Sequence, residues 1–206
     1  MSSTPSTPPS PPDPDDVQNL FNILETRLAA LSPTSSAKED GETPGVIGNK
    51  SVLIAVIGGQ TTLLDTLLKT GASADSHFDD GWSALMLAAH NGHTKIAELL
   101  LSKKITLEAK GGNGWTALTV AVFNGHTDTA EVLINKGADV NATDNDGKTV
   151  LMWAVDKRNT QLVKALLAKG ANPGAKNLRG SSVLSYAQRN NDLEVTALLK
   201  KAGARE

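Results

Sequence analysis

Glycine returns every 33 residues along most of this chain: Gly48, Gly81, Gly114, Gly147 and Gly180. Ala55, Ala88, Ala121, Ala154 and Ala187 keep the same interval, as do Leu67, Leu100, Leu133, Leu166 and Leu199. A further column holds Gly71, Gly137, Gly170 and Gly203, interrupted by Lys104. Four independent columns on one period restrict the chain to a row of like units, each too small to bury its own apolar face.

Each unit reads as turn, short helix, turn, longer helix. Asp80-Gly81, Asn113-Gly114 and Asp146-Gly147 are tight-turn dipeptides, because glycine tolerates positive φ. Ser83, Thr116 and Thr149 follow two residues later, where a hydroxyl can cap a helix. Short runs of apolar and small residues come next, as in A-L-M-L-A-A at 84–89, and Gly92 and Gly125 end them. Second helices follow, with Ile96, Leu99 and Leu100 and the matching Thr129, Val132 and Leu133 at helical spacing. The invariant small column of alanine predicts close approach of neighbouring first helices.

These residues resemble the ankyrin family. D-G-W-S-A-L-M-L-A-A-H-N-G-H at 80–93, N-G-W-T-A-L-T-V-A-V-F-N-G-H at 113–126 and G-A-D-V-N-A at 137–142 follow its pattern. The resemblance implies an all-α solenoid of five helix-turn-helix units with short β-hairpin-like turns. It spans about 46–204, as units 46–77, 78–110, 111–143, 144–176 and 177–204. Ala84, Ala117, Val150 and Val183 stand at the family's proline position, and Met86, Thr119, Met152 and Ser185 at its histidine position. The family's histidine joins a network within and between repeats, so its loss implies looser coupling. Lys104 and Arg158 replace glycine at turn positions, and each is expected to carry a strain of roughly 1 kcal/mol. Lys200 occupies the place of Leu101, Ile134 and Leu167, as expected of a stack that ends in water.

Ahead of the repeats, residues 1–14 are almost all Pro, Ser and Thr and are expected to be disordered. Val17, Leu20, Phe21, Leu24, Leu28 and Leu31 form one helical stripe, which predicts an amphipathic helix at 15–31. It could cover Val52, Leu63 and Leu67 of the first unit, bind a partner, or self-associate. Residues 32–45 read as a linker. Asp13, Asp15, Asp16, Glu25, Glu39, Asp40 and Glu42 face only Arg27 and Lys38 before residue 46, giving net −5; the remainder is net +3. That split suggests an acidic leader lying over a mildly basic stack until a partner displaces it.

Composition narrows the chemistry. There is no cysteine, hence no disulfide, thiolate nucleophile or Cys-ligated zinc. No apolar run reaches the roughly 20 residues needed to cross a bilayer, and the first 26 residues carry no Lys or Arg, so no targeting segment is evident. The expected location is cytoplasmic and soluble. The bases are scattered, which argues against nucleic acid. His90 and His93 form H-x-x-H without further ligands. D-N-D-G at 144–147 lacks the glutamate of a calcium loop, since Trp153 stands there. No catalytic triad or phosphate loop is distinguishable, so neither cofactor nor metal is expected.

The resemblance points instead to another protein as partner, docked on hairpin tips and on the concave first-helix side. Carried over position by position, the candidates are Asp79, Trp82, Trp115, Asn145, Lys148 and Arg179 at the tips. On the first helices they are His90, Asn91, Phe123, Asn124, Asp156, Lys157, Gln188 and Arg189. Trp82, Trp115 and Phe123, three of only seven aromatics, are read as outward-facing; they serve either as binding anchors or as local packing. Trp153 and Tyr186 align with Leu87 and Val120 and are read as structural. The expected role is an adaptor, scaffold or inhibitor, monomeric unless the 15–31 helix self-associates. The alternative is an enzyme or effector with an active site on the concave face.

Overall fold

The computed structural model describes residues 44–78 and 81–205. The leader, the 15–31 helix and nearly all of the linker lie outside the described residues, as does Asp79. Among the described residues ten helices follow one another in pairs: α1 Pro44–Ile57, α2 Thr61–Lys69, α3 Ala84–His90, α4 Thr94–Leu101, α5 Ala117–Asn124, α6 Thr127–Asn135, α7 Val150–Asp156, α8 Thr160–Ala168, α9 Val183–Arg189 and α10 Leu193–Lys201. Odd-numbered helices pack on one another along the stack, even-numbered ones form a parallel row, and each odd helix packs on the even helix that follows it. The fold is the all-helical solenoid that the period predicts. α1, at 14 residues, is longer than the other first helices, at 7 or 8, and begins at Pro44, inside the stretch read as linker; proline suits a first helical turn because its missing N–H would be unpaired there anyway.

The local signals act as read. Ser83, Thr116, Thr149 and Ser182 accept a hydrogen bond from the backbone N–H three residues on, each starting a first helix. The hairpin character of the turns is reduced to single antiparallel bridges, His77–Ser83, Thr143–Thr149 and Lys176–Ser182. Hairpins also join each other: Asn145 N–H donates to the Asn113 carbonyl at 3.1 Å, and Leu178 N–H to that of Asp146 at 3.0 Å. A side chain at Gly114 would meet the backbone nitrogen of Asn145 at 2.9 Å, so the tip must stay bare for the next hairpin to approach.

The core runs unbroken through the stack. The alanine column is fully buried at all five positions, and so are Leu100, Leu133, Leu166 and Leu199. Burying one such leucine is worth about 1.5–3 kcal/mol, and each depends on the neighbouring unit to do so. His126 and His93, which end the two N-G-H sequences, bond backward along the stack. His126 Nε2–H donates to the His90 carbonyl at 2.8 Å, and His93 reaches the Ile57 carbonyl at 3.4 Å. Both bonds tie one unit to the one before it, which assigns His93 to the scaffold.

One strain expectation holds and one is corrected. Arg158 lies at φ 57°, in register with Gly92 at 66° and Gly125 at 78°, and Asn191 follows at 53°. Lys104 is not among the positive-φ residues. The chain leaves α4 by a different route, with Ser102 and Lys103 turning back onto the Glu98 and Leu100 carbonyls, so the expected cost there is absent.

Candidate functional site

In units two to four the residue after the turn glycine reaches the residue eight places later, at the end of the first helix. In the second unit the Trp82 and His90 rings meet edge-on at 5.9 Å. In the third, Trp115 and Phe123 are 4.7 Å apart. In the fourth the same link is ionic: Lys148 Nζ lies 2.8 Å from Asp156 Oδ2. The hairpin thereby clamps the far end of its own first helix. This corrects the outward placement of Trp82 and Trp115, which are only 4% and 3% exposed, and of Lys148, at 8%. A large side chain on this short tether falls back over the helix, because burying its apolar surface outweighs what solvent exposure would offer.

Four aromatics from three units assemble where these clamps meet. Trp153 packs edge-on against Trp115 and Phe123, both at 5.1 Å, with interplanar angles of 65° and 81°. The Lys148 ammonium lies 3.3 Å from the Trp153 ring centroid and 4.8 Å from that of Tyr186. Lys157 Nζ sits 3.7 Å over Phe123, and the Arg189 guanidinium 4.8 Å over Tyr186. Arg189 also bonds Asp156 Oδ1 at 2.8 Å, so one carboxylate serves two cations. Trp153 Nε1–H donates to Asp144 Oδ2 at 3.0 Å, and Asn177 Nδ2 to the Tyr186 hydroxyl at 3.1 Å. Asp144 and Asn177 also hold their own hairpins, each accepting two backbone N–H bonds.

Burial sets the electrostatics. Desolvation holds the Lys148 ammonium below its ordinary pKa, although the hydrogen bond and charge of Asp156 oppose it. Desolvation, aided by Asp156, raises the Tyr186 phenol. The ammonium is enclosed by its carboxylate and two rings. Surface recesses lie elsewhere, for instance between the starts of α4 and α6 along Gly92, Gly125, His126 and Thr129. The arrangement can hold a face rigid and present charge.

The remaining candidates separate into anchored and available groups. Asn91 and Asn124 donate to the Leu87 and Val120 carbonyls of their own helices, both at 3.0 Å. Asn145 donates to the Gly112 carbonyl of the preceding tip at 3.1 Å. His90, Phe123, Asn124 and Asp156 are half-buried, while Asn91, Asn145, Lys157 and Arg179 are exposed. Arg179 lies 3.9 Å from Asp146 on the neighbouring tip. Trp153 and Tyr186, read from the sequence as structural, also line this cluster. Their signal was present: each stands nine residues after a hairpin Asp or Asn, a pairing absent where Leu87 and Val120 stand.

Among the described residues, no group of three or more His, Asp or Glu could hold a metal ion, and no helix is long and apolar enough to cross a membrane. A family model for ankyrin repeats (3 copies) matches residues 52–144 and 137–205. No curated protein matches the chain.

Proposed function

This chain belongs to the ankyrin-repeat family, and from that premise we propose that it is a protein-binding module of the adaptor, scaffold or inhibitor kind, without chemistry of its own. Ankyrin repeats are generally protein–protein interaction modules and typically non-enzymatic. The observation that carries the reading is the clamped first-helix face. Hairpin and helix are locked to each other within units two to four, and the side chains left at its surface include half-buried Phe123 and exposed Lys157 and Arg179. A surface already fixed in this way loses little conformational entropy when a partner docks. The binding residues on this reading are Phe123, Lys157 and Arg179, with His90, Asn91, Asn124, Asn145 and Asp156 at the margin. Trp82, Trp115 and Lys148 support them from beneath.

Site-specific photocrosslinking in the intact chain tests this. Probes at 91, 145 and 157 should yield adducts with a partner protein, whereas probes at Lys95 and Lys164, on the second helices, should not. Adducts confined to the second-helix side would reject the assignment of the face.

A further inference from the structure

We infer that the partner segment this face receives is acidic. The inference rests on the protein-binding reading above and adds the chemistry of the partner. Three cations lie on the rings of the cluster, Lys148, Lys157 and Arg189, with Arg158 next in sequence to Lys157 and Arg179 on the last hairpin; the carboxylates of the same hairpins and helix are Asp144, Asp146 and Asp156. Two of the carboxylates are already committed. Asp144 holds its hairpin and the Trp153 indole, and Asp156 is divided between Lys148 and Arg189. Asp146 meets Arg179 only at the long distance of 3.9 Å.

The cations are not matched in return. Lys157 has no carboxylate partner among the described residues and spends its ammonium on the Phe123 ring. Arg158 donates to a backbone carbonyl, that of Asn190, at 2.8 Å. The Arg189 side chain is 65% exposed, with its guanidinium steadied by Tyr186 and Asp156 and a free edge left for a second carboxylate. Rings beneath Lys157 and Arg189 hold both charges in place and displace part of their water. An incoming carboxylate therefore meets cations that are already positioned, next to the half-buried edges of Phe123 and Trp153. An acidic segment carrying one apolar side chain matches this surface; a basic one would face uncompensated repulsion.

The test is panning of a random peptide library against the immobilised full chain. Selected peptides should be rich in Asp and Glu. Their affinity should fall at least tenfold with Lys157→Glu plus Arg189→Glu, and severalfold with the milder Lys157→Gln plus Arg189→Gln. Lys95→Glu plus Lys164→Glu, the same charge change on the second helices, should leave it unaltered. Circular dichroism of each variant checks that the stack is intact, and the Gln pair serves if the Glu pair unfolds the last unit. Peptides without acidic bias that still map to this face by crosslinking would overturn the inference and leave the protein-binding reading standing. No selected peptides, or tighter binding of a single-stranded oligonucleotide than of any acidic peptide, would also overturn it.

Discussion

Lys148 and Asp156 make in the fourth unit the contact that Trp115 and Phe123 make in the third. The ammonium and carboxylate are 2.8 Å apart, and the rings 4.7 Å. An apolar clamp and an ionic one thus occupy the same place in consecutive units, and they touch through Trp153, which packs on Trp115 and lies under Lys148.

Trp115→Ala should unfold or severely weaken the stack rather than merely blunt its surface. The ring is buried and supports both Phe123 and Trp153. Removing it should cost about 3–5 kcal/mol, seen as a lower urea midpoint in far-UV circular dichroism. An unchanged midpoint would return Trp115 to the exposed anchors.

Trp153→Phe keeps a ring in the cluster but removes the N–H that Asp144 accepts. Hydrogen bonds to a charged acceptor contribute about 1.5–3 kcal/mol, and the half-buried setting here places the loss near the lower end. A double-mutant cycle with Asp144→Asn should show coupling of the two positions. Additive effects would mean that the bond contributes nothing.

Arg158→Gly should raise stability. Arg158 holds φ 57° at a position where Gly92 and Gly125 are unstrained, and the strain is about 1 kcal/mol. The lost bond to the Asn190 carbonyl offsets part of this. The net gain should appear as a rise in Tm of about 2–4 °C or less, measured by calorimetry. Lys104→Gly should bring no comparable gain, because that residue is not in the left-handed region.

Alkaline pH should act on the cluster in two opposite directions. Lys148 has a lowered folded pKa, so below 10.5 the unfolded chain takes up a proton that the folded one releases. Stability from this group therefore rises with pH through that window. Tyr186 has a raised folded pKa, so above 10.0 only the unfolded chain loses the phenol proton, and stability falls. Urea midpoints from pH 8 to 11 should show the rise abolished in Lys148→Met. In Tyr186→Phe, the deficit relative to the parent chain should shrink above pH 10. Parallel curves for all three proteins would contradict both assignments.

Much of the architecture was written in residues close together along the chain. The caps at Ser83, Thr116 and Thr149, the left-handed turn at Arg158 and the buried alanine column each depend on short-range backbone preference or on a strict period, and both are visible in a linear string. Lys104 misled because a column predicts a glycine-like turn only where the helix before it ends in the same register, and α4 does not.

The direction of the side chains was not written there. Position after the turn glycine looked outward for Trp82, Trp115 and Lys148, and the folded chain turns all three inward onto a residue eight places later. Sequence by itself determined the repeated unit, its helices and the number of units, because those follow from local propensity and spacing. Only tertiary structure decided which groups meet across units, as Asp156 meets Arg189 and Lys157 meets Phe123. Those contacts join neighbours in space from different periods, and they are chosen by burial and charge, which exist only once the units have stacked.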